Sequence, residues 1–223
     1  MGAGIAEVSA RVAADVVLCE TDPDAIVAAR TRIETSLDRG VRAGKLQESQ
    51  RDEVFDRVRF TSDLGELADC QLVVEAVREV EDEKVEVFRA LDRIVNDEHA
   101  ILASNTSSIP IMRLGMATAR PEFVIGLHFF NPVPVMRLVE LIPSIVTSDD
   151  VDARAEDFVA KRLGKRVIRS RDRAGFIVNA LLIPYILAAI RMLESGFASA
   201  EDIDDGMVQG CSHPMGPLAL ADL

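Results

Sequence analysis

At 223 residues, 48% of them hydrophobic, the chain is long enough for one large domain or two smaller ones and apolar enough to pack a core. Its formal charge of −12, without any basic stripe, excludes a nucleic-acid backbone as partner and requires local positive sites or helix N-termini wherever phosphates are bound. Cys19, Cys70 and Cys211 are scattered, without a CxxC pair, so reduced thiols in a cytoplasmic protein are expected rather than disulfides or a metal site.

Residues 1–14, MGAGIAEVSARVAA, open on Gly2 and Gly4 in a helical pattern, with no strand-like segment before them. Glycines at a helix start let a backbone approach a pyrophosphate, although two alone do not make a dinucleotide fingerprint. Residues 15–20, DVVLCE, form a short apolar strand ending in Glu20, eighteen residues after Gly2. That spacing suits a carboxylate on the adenosine ribose. It would repel a 2′-phosphate, and Thr21 and Asp22 offer no arginine to hold one, so NAD is favoured over NADP; the alternative is a capping or surface glutamate.

Asp22 and Pro23 are start signals for a helix with Ile26, Ala29, Ile33 and Leu37 on one face, and a second helical segment, residues 47–57, follows Gly44. Residues 71–76 read as a buried strand and residues 79–95 as a helix with Val85, Phe88, Leu91 and Val95 inward. A strand at 100–103 runs into Ser104-Asn105-Thr106-Ser107-Ser108, five small polar residues that either face a ligand at the strand's C-terminal end or cap the helix starting near Ile109.

Residues 123–127 make another buried strand, with His128 directly at its end. Pro132 and Pro134 force a turn before residues 136–141 resume a strand-like pattern, which brings Glu140 back towards His128. A carboxylate beside one imidazole nitrogen fixes the tautomer and stabilises the ring once the other nitrogen takes a proton, so the pair outlines a general-base dyad. A histidine satisfied in a loop and a solvated edge glutamate would give the same letters.

Thr147 with Asp150 predicts a capping box for a helix to about Leu163, and residues 166–169 a last strand. Residues 171–175, charged and ending in glycine, mark a domain boundary. Beyond it the pattern is helical, and residues 176–193 are the most apolar of the chain. Asn179, Pro184 and Arg191 interrupt them, so they predict a core helix rather than a membrane span. Ser199 and Asp202 cap the next helix. His99 and His213 match no catalytic position.

The wording HFFNPVPVMRLVE, with SNTSS upstream and GFIVN downstream, resembles the 3-hydroxyacyl-CoA dehydrogenase family and its short-chain 3-hydroxybutyryl-CoA branch. The likeness extends from Met1 to Leu223. It implies an α/β fold, a Rossmann-type, mostly parallel sheet with a helical insertion over residues 1–171, followed by an all-α domain over residues 172–223. The implied activity is the reversible oxidation of the 3-hydroxyl of a short-chain (S)-3-hydroxyacyl-CoA by NAD, without a metal and without a membrane, in a homodimer formed through the C-terminal helices.

By the same resemblance His128 is the base, Glu140 its partner, and Ser107 and Asn179 hold the substrate oxygen. Gly2, Glu20, Glu79, Lys84 and Asn105 belong to the cofactor site, and Ser36 to CoA; for Lys84 a plain surface role on a charged helix stays open. Arg42 and Lys45 either meet CoA phosphates or form a solvated basic edge. Gly4 becomes a helix-packing glycine. Since the family enters this helix through a strand and a longer glycine run, and continues with helices after Leu223, the chain is expected to be truncated at both ends. Two rivals remain: a CoA-independent dehydrogenase of a 3-hydroxy sugar acid, and a non-catalytic nucleotide-binding protein.

Overall fold

The computed structural model describes residues 1–222 and shows two compact units, Met1–Ala174 and Gly175–Leu223. In the first, α1 (Gly2–Arg11), β1 (Val16–Cys19), α2 (Pro23–Arg42), α3 (Glu48–Asp56) and β2 (Val58–Thr61) precede β3 (Leu72–Glu75), α4 (Glu81–Ile94), β4 (Ile101–Ser104) and α5 (Ile111–Gly115). Then come β5 (Val124–Phe129), β6 (Leu138–Pro143), α6 (Asp149–Asp157), a π-helical turn at Phe158–Arg162, and β7 (Arg166–Arg169). The second unit holds α7 (Val178–Glu194), α8 (Ala200–Cys211) and α9 (Pro217–Ala221).

The strands form two sheets. β1 and β2 pair in parallel, and five more are ordered β3-β4-β5-β6-β7, parallel throughout except for the antiparallel β5–β6 pair. The four-residue β2 carries no distinct sequence signal; Arg59 breaks its apolar run, and pairing with β1 makes it a strand.

Helix α1 is buried on two sides. Ile5 and Val8 join the core of the five-stranded sheet with Ala103, Ile125, Leu127 and Leu141. Ala3, Ala6 and Ala10 face Leu18, Ala29, Ile33, Leu37, Val54 and Val58. Methyl-sized side chains on this second face let α2 approach closely, and the Ile33 and Leu37 side chains it covers are each worth roughly 1.5–3 kcal/mol on burial. Gly4 has the packing role expected of it: a Cβ there would lie 2.9 Å from that of Val133.

Asp22 accepts a hydrogen bond from the Asp24 amide and Pro23 opens α2, in line with its start signals. At α6 the cap is one residue later than expected. Ser148 accepts from the Val151 amide, because the Thr147 hydroxyl is already donated to the Val124 carbonyl.

The second unit departs most from expectation. In α7 only Ala189 is buried, while Leu181 is 71% and Ile183 51% exposed, so the predicted core helix presents an apolar surface to solvent. No helix among the described residues is long and apolar enough to cross a membrane. The division between the units, after Ala174, lies within residues 171–175, and just before it the Asp172 carboxylate accepts from the amides of Ile111 and Met112 at 2.8 Å each.

Candidate active site

β5 does not end before His128. Its pairing with β6 continues to Phe129 opposite Val139, which puts His128 directly across the ladder from Glu140. Both side chains are buried, and Nδ1 of His128 lies 2.7 Å from Oε2 of Glu140. An ionised carboxylate only accepts, so Nδ1 carries the hydrogen and the neutral ring keeps its lone pair on Nε2. The Phe130 ring, 4.7 Å from the imidazole and tilted by 57°, holds it from the side.

The turn joining the two strands is held at several points. Amides of Val135 and Met136 donate to the Pro132 carbonyl, and the Asn131–Pro132 bond is cis. The Lys165 ammonium donates to the carbonyls of Val133 (2.7 Å) and Met136 (2.6 Å). Burial, and then the neighbouring charge of Arg11, pushes the Lys165 pKa below its ordinary value.

A row of paired residues, polar at its β3 and β4 positions, crosses the sheet beside the dyad. Register pairs Glu75 with Ser104, Ser104 with Gly126, and Gly126 with Ile142, and His128 with Glu140 is the next pair outward on the same face. Glycine is required at 126, where a Cβ would lie 2.9 Å from both Ile111 and Ile142 side-chain atoms. From this row the Ser104–Ser108 loop rises. The Asn105 amide donates to the Glu75 carbonyl (2.8 Å), and its side-chain oxygen accepts from the Phe129 amide (2.9 Å), which locks the loop to the strand carrying His128.

The five polar residues do not cap the next helix: α5 starts only at Ile111, and its first amides donate to the Asp172 carboxylate, while the Thr106 hydroxyl accepts from the Ile109 amide within the loop and Ser107 stays partly exposed. Glu79 gathers the loop: one carboxylate oxygen accepts from the Ser107 amide (2.9 Å), the Ser108 amide (3.1 Å), the Ser108 hydroxyl (3.0 Å) and the Thr106 hydroxyl, with the Ser107 hydroxyl at 3.3 Å. Burial pushes the Glu79 carboxyl up, but the Thr106 hydroxyl, the Ser107 amide, the charge of Lys84 and the Ser108 hydroxyl together bring it down to about 2.

Lys84 is not on the surface of its helix. Its side chain is 1% exposed, with the ammonium 2.7 Å from Glu75 and 3.3 Å from Glu79. The sequence alone did not single out Glu75 or Lys165. The available signal for Glu75 was an acid ending an otherwise apolar strand, nine residues before a lysine on the following helix.

Gly2 is the first residue of α1, its missing Cβ 3.9 Å from that of Ala76, just past the C-terminal end of β3. Glu20 follows β1, half-buried, its amide bonded to the Thr61 carbonyl. These residues fit a dinucleotide, with helix amides for phosphate and a carboxylate for ribose hydroxyls. Cys19 beside Glu20 is pushed up by burial and by the charges of Glu20, Asp63 and Glu66, so its thiol stays protonated. Ser36 is half-buried in the middle of α2, and Arg42 is exposed, its Nε 3.4 Å from the Asp38 carbonyl. Asn179 lies in the first turn of α7, half-buried, in the second unit.

Residues 1–173 match the family described as "3-hydroxyacyl-CoA dehydrogenase, NAD binding domain", and residues 175–223 match "3-hydroxyacyl-CoA dehydrogenase, C-terminal domain". The chain is 56% identical over 223 residues to a 3-hydroxybutyryl-CoA dehydrogenase of Mycobacterium tuberculosis, covering 100% of this chain and 78% of that one. It is 44% identical over 229 residues to the mitochondrial hydroxyacyl-coenzyme A dehydrogenase of Homo sapiens, covering 72% of it. The crystal structure of M. tuberculosis FadB2 superposes with a TM-score of 0.98 at 56% identity, covering 100% of this chain and 78% of the other. That of (S)-3-hydroxybutyryl-CoA dehydrogenase PaaH1 from Ralstonia eutropha gives 0.95 at 43%, with the same coverages. The chain therefore belongs to the 3-hydroxyacyl-CoA dehydrogenase family.

Proposed function

We propose that the chain oxidises the 3-hydroxyl of a short-chain (S)-3-hydroxyacyl-CoA to the 3-oxoacyl-CoA, reversibly, with NAD, in fatty-acid or butanoate metabolism. The observation that carries this reading is the buried His128–Glu140 pair at 2.7 Å, near the C-terminal end of β5, whose neighbouring strand β4 runs into the Ser104–Ser108 loop. NAD, when bound, supplies the hydride acceptor for carbon 3. The protein's own part is proton transfer and charge stabilisation.

Nε2 of His128 takes the hydroxyl proton as the carbon–hydrogen bond breaks, and the Glu140 carboxylate stabilises the imidazolium that forms. Ser107 donates to the developing alkoxide oxygen, and Asn179 keeps the role that family resemblance gives it, a second donor to that oxygen. In the reverse direction the imidazolium returns its proton to the same oxygen. For the cofactor, Gly2 and the first amides of α1 hold phosphate and Glu20 holds the ribose. Glu79, Lys84 and Asn105 shape the nicotinamide end, and Ser36 on α2 contacts CoA. Thr21 and Asp22, next to Glu20, offer no arginine to hold a 2′-phosphate, which favours NAD over NADP.

Comparing a C4 3-hydroxyacyl-CoA with the corresponding free acid, with NAD and with NADP, tests the reading. Activity is expected on the thioester with NAD. Turnover of the free acid alone would support the sugar-acid reading instead, and a chain-length series peaking at long acyl groups would count against the short-chain assignment. A cytoplasmic homodimer formed through the helices of the second unit is part of this proposal, supported by the exposed apolar side chains of α7.

A further inference from the structure

The proposed chemistry uses Ser107 and gives no role to Glu75, the buried carboxylate paired with Lys84 beneath it. Glu75 ends β3 with a side chain entirely out of solvent. One of its carboxylate oxygens accepts from the Lys84 ammonium (2.7 Å) and the Val77 amide (2.7 Å), the other from the Ser104 hydroxyl (2.7 Å). The Ser104 oxygen in turn accepts from the Thr106 amide at 3.1 Å. The same ammonium lies 3.3 Å from the second oxygen of Glu79, whose first oxygen gathers the amides of Ser107 and Ser108.

One lysine therefore joins two carboxylates that reach the Thr106–Ser108 backbone by separate routes, Glu75 through Ser104 from below and Glu79 directly from outside. Taking an ion pair out of water is rarely repaid by the attraction between its members, and an apolar pair between α4 and β3 would serve stability as well. A charged pair here does what an apolar one cannot: it orients hydrogen-bond acceptors towards the loop.

We infer that Glu75 and Lys84 are positioning residues, acting through Ser104 and Glu79 to fix the loop that presents Ser107 to the substrate's 3-oxygen. Neither touches substrate. The inference rests on the role proposed for Ser107, and its test has a readout independent of activity.

The experiment compares Glu75→Gln, Lys84→Met, the double variant and the solvent-facing Glu79→Gln by amide hydrogen exchange, thermal melting and steady-state kinetics. In Lys84→Met and Glu79→Gln the amides of residues 106–109 are expected to exchange at least tenfold faster while those of β4 and β5 stay protected, with kcat reduced roughly ten- to a hundredfold and KM changed less. Removing both buried charges in Glu75→Gln/Lys84→Met is expected to restore the melting temperature but neither loop protection nor kcat, since Glu79 still lacks its ammonium. Unchanged loop exchange in Lys84→Met would overturn the inference whatever the activity. So would a double variant in which loop protection and kcat both return, the result a purely structural pair would give. Faster loop exchange with unchanged kcat would leave the positioning network standing and remove Ser107 from the proposed chemistry.

Discussion

The two units break opposite halves of the rule that apolar groups go inside and charged groups outside. The first buries His128, Glu140, Glu75 and Lys84, and every one of them has a polar partner. The second leaves Leu181, Ile183, Leu187, Met192 and Leu193 of α7 at least 40% exposed. Both arrangements cost stability in an isolated chain, the first through desolvation and the second through hydration of hydrocarbon. Buried polar groups that are fully partnered mark where chemistry is set up; apolar groups left in water mark where a surface is meant to be covered.

The comparison can be broken hardest at the dyad. His128→Gln keeps size and polarity but removes the proton acceptor, and is expected to lower kcat by about two to four orders of magnitude with NADH affinity little changed. Stopped-flow turnover with a parallel fluorescence titration of NADH measures both, and near-wild-type turnover would mean that the buried pair is structural. Glu140→Gln leaves the ring in place without its counter-charge. A fall in kcat of about two orders is expected. If rate and pH profile are both unaltered, the two residues do not act together.

The other half of the comparison is sharpened at α7. If this face closes a homodimer, Leu181→Glu should weaken the dimer roughly ten- to a hundredfold, the equivalent of about 1.5–3 kcal/mol for one well-buried leucine, as read by sedimentation velocity over a concentration series. A wild-type chain that stays monomeric at tens of micromolar would assign that apolar face another role. The smallest effect concerns pH. Glu79 is held down to about 2 against an ordinary 4.5, so its contribution to the loop is fully present above about pH 4.5 and is lost as pH falls towards 2. Amide exchange at Ser107 and Ser108, followed between pH 5 and pH 2.5, should stay protected at the upper end and lose protection towards the lower. Complete loss by pH 4.5 would show that the carboxylate is not held.

Apolar runs such as VVLC and VIGL, the helical spacing of Ile33 and Leu37, the Asp22-Pro23 start and the proline turn between His128 and Glu140 were all legible in the chain, because each depends on neighbours within a few residues. The pairing of His128 with Glu140 was legible for the same reason: one hairpin-like connection separates them, and the turn sets the return path. Three features were decided only by tertiary structure. Whether β5 stopped at Leu127 or ran through His128 depended on how far β6 paired with it, a question of register between strands. That Lys84 is buried, with Glu75 beneath it and Glu79 beside it, depended on packing α4 against β3, since a lysine on a charged helix otherwise stays in water. And the apolar letters of α7 could mean core or surface alike, because composition sets how much a helix gains by leaving water, while only the arrangement of its neighbours decides whether this chain supplies the cover.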